Sequence, residues 1–405
     1  MDNKVYIVSA KRSATGSFLG SLKNVSAQVL GGEVVKAVLA ETKIDPSLID
    51  EVVMGNILPA GQGQGVARQV SIAGGVPETV PAYSLNMACG SGMKAVMLGY
   101  ANIKAGLHHL VLAGGVEVMS AAPYLLPKEV RNGHKMGTMN VSDHMIDDAL
   151  TDAFHHVHMG ITAENIADRY NISREAQEAF AYQSQLKAIQ AVDSGVFKDE
   201  IVPISVKQGK EVVVFDTDEY PNRKTNLERL ASLRPAFKKE GSVTAGTASG
   251  INDGASAVLL ASGEMCKKLG LTPLAEVIGI GQGGVDPLYM GLGPTPAIRQ
   301  ALKHADLKLS EIQVMELNEA FAAQSLGVIH ELSIEHQVSE EGLLKKTNPN
   351  GGAIALGHPV GASGNRILVT LVHEMKQLNL DLGLASLCIG GGMGTALVIR
   401  KFKGE

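Results

Sequence analysis

Cysteine is scarce in this chain: three among 405 residues, at positions 89, 266 and 388, with no regular spacing. That excludes a disulfide framework and favours a reducing compartment, so a cytoplasmic location is expected. No apolar run approaches the roughly 20 residues that cross a bilayer, and none is preceded by a charged leader. The opening "MDNKVYIVSAKRSATG" instead goes directly into a strand-like run. Surplus positive charge is missing too, with 36 Lys and Arg against 41 Asp and Glu. Neither nucleic acid nor an anionic membrane is therefore an expected partner, and any anionic ligand needs a local basic patch.

What is present fits an α/β protein larger than one ordinary core. Hydrophobic residues make up 45% and charged ones 19%, with 46 glycines suited to tight turns. "VYIVSA", "EVVMGN", "HLVLAGG" and "VLLAS" read as buried strands in the first part, "AEVIGIG", "VMELNEA", "LASLCIG" and "ALVIRK" in the last. Alternation of such runs with helical ones predicts parallel α/β layers. From 120 to 247 the texture turns richer in charge, His, Met and Gln, which predicts an inserted segment carrying ligand contacts. Within it, Ser173 followed by Glu175 marks a helix start.

The two ends repeat one another. "DPSLIDEVVMGNILPAGQG" parallels "DLKLSEIQVMELNEAFAAQ"; "NMACGSGMKAVMLGYANIKAG" parallels "NGGAIALGHPVGASGNRILVTLVHEM"; "HHLVLAGGVEVMS" parallels "LGLASLCIGGGMGTALV". Three matches in the same order predict a duplicated domain. Cys89 and His358 then fall in corresponding loops, and a pseudo-twofold axis would bring them face to face.

Those loops hold the chemistry. Cys89 precedes Gly-Ser-Gly and a helical run, and a helix N-terminus favours a thiolate. Small neighbours would leave space for an acyl group at the sulfur. His358 is held between Gly357 and Pro359 in a shaped loop, where an imidazole can polarise a thiol or carbonyl. Cys388 follows a strand directly and opens "IGGGMG". Two thiols and a histidine suit acyl transfer combined with proton abstraction. Asn318 in "LNEAFAA" is either a helix cap or a donor to an oxyanion. Cys266, in a charged helix without a glycine loop, reads as structural. "GIGQGG" lacks the following helix that a dinucleotide site needs. "HHVH" has no carboxylate or Cys partner at helical ligand spacing, so no metal site is expected.

Cys89 in "NMACGSGMKAV", His358 in "NPNGGAIALGHPVGASG" and Cys388 in "SLCIGGGMGTAL" resemble the three signature segments of the thiolase family. "HMGITAENIA", "RPAFKKEGSVTAGTASGINDGA" and "LNEAFAAQS" extend the likeness over nearly the whole chain. The "CGSG" of the first segment resembles the biosynthetic branch. The resemblance implies duplicated α/β domains in a five-layered αβαβα core with an inserted loop domain. Residues 1–119 with 248–270 would form the N-terminal half, 120–247 the coenzyme A-binding insertion, and 271–405 the C-terminal half.

It further implies a ping-pong Claisen condensation of two acetyl-CoA to acetoacetyl-CoA and coenzyme A, with no cofactor beyond the thioester itself. Cys89 would carry the acetyl group, His358 take its proton, and Cys388 remove the α-proton of the second acetyl-CoA. Asn318 with a water and His358 would form one oxyanion site, the N–H groups of Cys89 and Gly390 another. His158, Met159, Phe237, Ser249, Met290, Ala320 and Phe321 would line the pantetheine and acyl pocket, with Arg223 and Lys224 near the adenosine phosphates. "RNGHKMG" resembles the family's cationic loop, which implies a homotetramer. Met87-Ala88 departs from the family pattern, and "HELSIEHQVSEEGLLKKTNP" looks extended, which predicts a surface excursion. Rival readings are a degradative 3-ketoacyl-CoA thiolase, a ketosynthase, which would need a second histidine at position 388, and a non-catalytic coenzyme A-binding or assembly protein.

Overall fold

The computed structural model describes residues 4–404; positions 1–3 and 405, the outermost parts of the first and last expected segments, lie outside the described residues. The strands of the main sheet are β1 (Val5–Ser13), β2 (Glu51–Gly55), β3 (Ala82–Leu85), β4 (Leu110–Val118), β5 (Asn252–Ser262), β6 (Ala275–Gly284), β7 (Val314–Leu317), β8 (Leu382–Ile389) and β9 (Met393–Lys401). They follow one path, β7-β8-β9-β6-β1-β5-β4-β2-β3. Among the described residues, the strands of the two halves pair where Tyr6 faces Glu276 and Ile7 faces Ala275. Just past that junction both strands slip register, between Ile7 and Ser9 in β1 and between Val277 and Gly279 in β6. Bulges of this kind sharpen strand twist, so the halves turn away from each other on either side of a pseudo-twofold axis.

The repeat read from sequence is present in the backbone. A single 3-10 turn leads into β2 (Pro46–Leu48) and another into β7 (Leu309–Glu311). β2 pairs in parallel with β4, and β7 with β8. The expectation of parallel layers needs correcting. β1–β5, β4–β5, β6–β9 and β8–β9 all run antiparallel, so the sheet is mixed. β9 returns from β8 through a tight turn and β5 returns from β4 after the long 119–251 segment, and apolar composition alone does not report that reversal.

Helices complete the layers: α1 (Ala27–Thr42), α2 (Val66–Ala73), α3 (Ser91–Lys104), α4 (Met159–Tyr170), α5 (Arg174–Asp193), α6 (Pro294–Ala305), α7 (Ala322–His336) and α8 (Val360–Gln377). Strand alternation assigns them. Val52 and Met54 point to Leu30, Val34 and Val70 of α1 and α2. Val53 points the other way, toward Met93 and Val96 of α3 and Ile367 and Leu371 of α8, and this core continues to Leu387 and Leu397 of the second half. Leu384 and Val398 face outward again, onto Ile298 of α6 and Val328 of α7. The order is therefore helix, sheet, helix, sheet, helix. Burial of α8 from Val360 to Met375 follows from its place in the middle layer.

Between Met119 and Ala248 the chain adds only Ile201–Val202 to the main sheet, beside β1. α5 begins where the sequence indicated, with Ser173 accepting a hydrogen bond from the Ala176 N–H. The 330–349 stretch lies largely at the surface and is helical: α7 runs through to His336, and a short helix, Glu340–Lys345, follows behind a Ser339 cap.

Candidate active site

Cys89 stands in a strand–turn–helix elbow between β3 and α3. Ala88 has φ +42°, a left-handed conformation that costs a non-glycine residue roughly 1–2 kcal/mol. Its N–H donates to Asn86 Oδ1 at 3.0 Å, and the Ser91 hydroxyl donates to its carbonyl at 2.7 Å. Residue 88 of the unusual Met87-Ala88 pair is thus the strained turn itself. The neighbouring glycines serve protein packing rather than ligand space, which corrects the sequence reading. A Cβ at Gly90 would lie 2.3 Å from Ile389 Cδ1, and one at Gly92 would lie 2.8 Å from the Asn365 nitrogen on α8. Glycine at 92 lets α3 and α8 touch backbone to backbone.

The expected resting thiolate is corrected as well. Burial pushes the Cys89 thiol up to about 11, although N–H groups of Gly390 and of Cys89 itself act on the sulfur in the other direction. Desolvation outweighs the helix terminus. The resting sulfur is therefore a thiol, with two backbone donors already gathered at it.

His358 follows Gly357, whose φ is +95° and where a Cβ would strike the Asn252 side chain. The His358 N–H donates to Asn252 Oδ1 at 2.9 Å. Its Nδ1 lies 2.6 Å from Ser363 Oγ, and that hydroxyl donates to the Pro359 carbonyl at 2.9 Å. With its proton so engaged, Ser363 accepts from Nδ1–H, which leaves the lone pair on Nε2. Asn318 Nδ2 stands 3.5 Å from that nitrogen. Burial first, and then the Arg366 charge, pull His358 down to about 4, so the ring is neutral at pH 7.

Cys388 is fully buried near the end of β8, and burial together with nearby Cys89 pushes its thiol far up. Asn318 follows β7 and is not the cap of α7, since that position belongs to Phe321. Its Oδ1 is buried without a partner.

A cavity of about 470 Å³ collects these groups: Cys89, His358, Cys388 and Gly390 all line it. Of the expected pocket residues, His158, Met159, Phe237, Ser249, Met290, Ala320 and Phe321 line it too. His158 stacks on Phe237 at 4.8 Å, and Phe237 meets Phe321 edge-on at 5.9 Å, giving an aromatic cluster at the cavity. Met119, Leu150, Ile251 and Val360 also line the cavity and were not anticipated. Arg223 does not reach it. That residue lines an adjoining open cleft with Lys224 and Arg229, and the two spaces share Ser17, Tyr220 and Ala245. There Arg223 is paired with Asp193 at 2.5 and 2.8 Å. Cys266 is buried in the short helix Gly263–Leu269, away from the cavity.

Two carboxylates escaped the sequence reading. Glu117 accepts from Asn56 Nδ2 and the Ile57, Leu58 and Gly361 N–H groups at 2.9–3.1 Å, tying the end of β2 to the first turn of α8. Its signal was available: a lone charge inside the apolar run "LVLAGGVEVMS" is rarely buried without purpose. Glu319, beside Asn318, accepts from Ser184 Oγ at 2.6 Å and Asn348 Nδ2 at 2.8 Å, fastening α5 to the Asn318 loop. Its partners are too distant in sequence to have been foreseen.

Two sulfurs, a neutral imidazole with a free lone pair, and converging N–H donors in an apolar cavity can form and resolve an acyl thioester. Comparison with known proteins points the same way. An acetyl-CoA acetyltransferase of Pseudomonas aeruginosa is 51% identical, over 98% of this chain and 99% of its own. A probable acetyl-CoA acyltransferase of Staphylococcus aureus is 49% identical over 99% of this chain and all of its own. Among solved structures, the acetyl-CoA acetyltransferase of Bacillus anthracis superposes with a TM-score of 0.94 at 42% identity, covering 98% of this chain and 99% of that one. Human mitochondrial 3-ketoacyl-CoA thiolase gives 0.93 at 41% identity, covering 99% and 100%. Residues 5–264 match the thiolase N-terminal domain and 271–401 the thiolase C-terminal domain, so the chain belongs to the thiolase family.

Proposed function

We propose that this enzyme is an acetyl-CoA C-acetyltransferase that condenses two acetyl-CoA to acetoacetyl-CoA and coenzyme A. The observation that carries the reading is the meeting of Cys89, Cys388 and the His358 imidazole in one apolar cavity. In the first half-reaction Cys89 Sγ attacks the thioester carbon while its proton passes to His358 Nε2. The N–H groups of Cys89 and Gly390 receive the oxyanion. Coenzyme A leaves as a thiolate and takes its proton from Cys388. In the second half-reaction the Cys388 thiolate removes the α-proton of a new acetyl-CoA. The enolate oxygen is met by His358 Nε2–H and by a water on Asn318, and its carbon attacks the acetyl carbonyl. Cys89 leaves and recovers its proton from His358. His358 and both cysteines end as they began: Cys89 regains its own proton, Cys388 holds the substrate's α-proton in place of the one given to coenzyme A, and no redox cofactor enters the balance.

His158, Phe237 and Phe321 provide the aromatic contacts for the slender pantetheine, and Lys224 and Arg229 the charge for the nucleotide phosphates. Residues 120–247 act as the coenzyme A-binding insertion within the N-terminal thiolase half, 1–119 with 248–270, and 271–405 form the C-terminal half. A homotetramer is supported by the exposed apolar side chains of 124–141, among them Tyr124, Leu126 and Met136 at 70, 60 and 90% exposure. Because the reaction needs Cys89 and Cys388 reduced, a cytoplasmic setting fits the chemistry. None of the helices among the described residues is long and apolar enough to cross a membrane.

Mass spectrometry after brief exposure to acetyl-CoA tests the proposal. An acetyl group on Cys89, lost in Cys89→Ser and kept in Cys388→Ser, is the expected result, with condensation abolished in both. Faster thiolysis of a long 3-ketoacyl-CoA than of acetoacetyl-CoA would instead favour the degradative reaction. Met136→Lys, followed by analytical ultracentrifugation, tests the tetramer: an unchanged mass would remove that surface from it.

A further inference from the structure

We propose that Ser91 is a positioning residue whose hydroxyl latches the strained Ala88 turn and thereby aims the Cys89 backbone N–H at the reacting carbonyl. This rests on the reading of Cys89 as the acyl carrier and goes beyond it, because Ser91 touches neither substrate nor sulfur in that mechanism. Ser91 is fully buried. Its hydroxyl accepts the Met87 N–H at 2.8 Å and donates to the Ala88 carbonyl at 2.7 Å, so it grips the peptide units on both sides of Ala88. Its own N–H also donates to the Ala88 carbonyl, at 3.0 Å. Asn86 Oδ1 holds the Ala88 N–H from the outer side at 3.0 Å.

The reason for such a grip lies in the turn. Ala88 at φ +42° is in a conformation that alanine leaves unless held. The peptide joining Ala88 to Cys89 carries the Cys89 N–H. If Ala88 relaxes to negative φ, that peptide plane rotates, and the N–H leaves the sulfur and the oxygen of any acyl group attached there. Gly390 would then be the sole backbone donor on that side. The helix start would persist, because Gly90 donates to the Met87 carbonyl and Lys94 to the Gly90 carbonyl independently of the hydroxyl. The sulfur would also stay near its place, since it is carried by the residue just ahead of the helix. What the latch protects is the direction of one donor.

Two reagents separate that role from general support of the fold. Acetylation of Cys89 by acetyl-CoA passes through an oxyanion and needs the donor. Alkylation by iodoacetamide passes through no oxyanion and feels that donor only through its effect on the sulfur's ionisation, where burial is the larger influence. Ser91→Ala is expected to slow single-turnover acetylation by about 10–100-fold, below the loss for deleting a whole oxyanion donor, while alkylation of Cys89 changes by less than about threefold. Asn86→Ala, at an exposed position that burdens the fold less, is expected to show the same selectivity at about 5–10-fold. Equal slowing of both reactions, or of neither, in these variants would overturn the latch. Absence of acetyl on Cys89 in the unaltered enzyme would overturn the acyl-carrier reading itself. A normally acetylated parent with unselective variants overturns only the role given to Ser91.

Discussion

Replacing Ser363 with alanine should disable the histidine without touching the cavity wall. Ser363 is fully buried, and its hydroxyl is the acceptor that His358 Nδ1–H has in the folded chain, at 2.6 Å. Alanine leaves two outcomes for the ring. Either Nδ1–H stays buried without an acceptor, at about 1–3 kcal/mol, or the proton moves to Nε2 and the lone pair facing Asn318 is lost. The second removes the Nε2 lone pair outright, and the first leaves the imidazolium formed on proton transfer without an acceptor for Nδ1–H, so either slows the transfer, and the ring will take the less costly. A penalty of 1–3 kcal/mol corresponds to roughly a 5–150-fold slower proton transfer. Rapid-quench acetylation with acetyl-CoA reads this directly, and KM should change little because Ser363 does not line the cavity. An acetylation rate within twofold of the parent would refute the tautomer assignment and the role of this contact.

Other expectations follow from the same geometry. The acid limb of kcat/KM for acetylation should fall near pH 4 rather than near 6.5, because His358 is held down to about 4 by burial and Arg366; a limb centred at 6.5 would contradict it. The same depression makes the native state resist protonation, so stability present above pH 6.5 is lost as pH falls toward 4. Urea titrations at pH 7 and pH 5 should show the parent losing about 2 kcal/mol more than His358→Gln. Glu117→Gln should cost about 3 kcal/mol in urea, since an amide NH₂ would face N–H donors that both carboxylate oxygens now satisfy. Arg12→Met should cost about 3–5 kcal/mol by leaving buried Glu200 and Asp218 without their cation, and should raise KM for acetyl-CoA because Asp218 anchors the loop carrying Tyr220. An unchanged KM in a folded variant would detach that loop from substrate binding.

The sequence carried the parts of this site that are local. Cys89, His358 and Cys388 each lie among small residues at the end of an apolar run, a signal contained within a dozen positions, and the cavity unites all three. The duplication was legible because the two halves repeat, and a repeat encodes its own symmetry; the five-layered order came from the resemblance to the thiolase family. Distant contacts were not legible. Glu117 reaches Gly361 across 244 positions, and Arg12 reaches Asp218 across 206. Nothing near either residue names its partner. Arg223 shows the converse: a basic residue at the expected distance, spent on Asp193 rather than on the cavity. The Ala88 turn was visible only as an oddity, since alanine gives no sign by itself that its backbone will be held left-handed.

The resting thiolate failed for a reason that also constrains the mechanism. A helix start is read from a few residues, whereas the dielectric around Cys89 depends on side chains drawn from across the chain. With the thiol at about 11 and the imidazole at about 4, moving the proton between them in the resting site costs roughly 10 kcal/mol before the new charges attract each other. An ion pair is therefore not the resting form. Charge can develop on the sulfur only as it is consumed, when an acyl carbonyl sits against the Cys89 and Gly390 N–H groups and the negative charge passes on to its oxygen. Apolar burial then acts as selectivity: a reagent with no carbonyl for those donors meets a thiol, while a thioester meets a nucleophile. Cys388, buried deeper and held more firmly protonated, extends the same logic to the second half-reaction, since a thiolate that is costly to make is a stronger base once the departing coenzyme A has taken its proton.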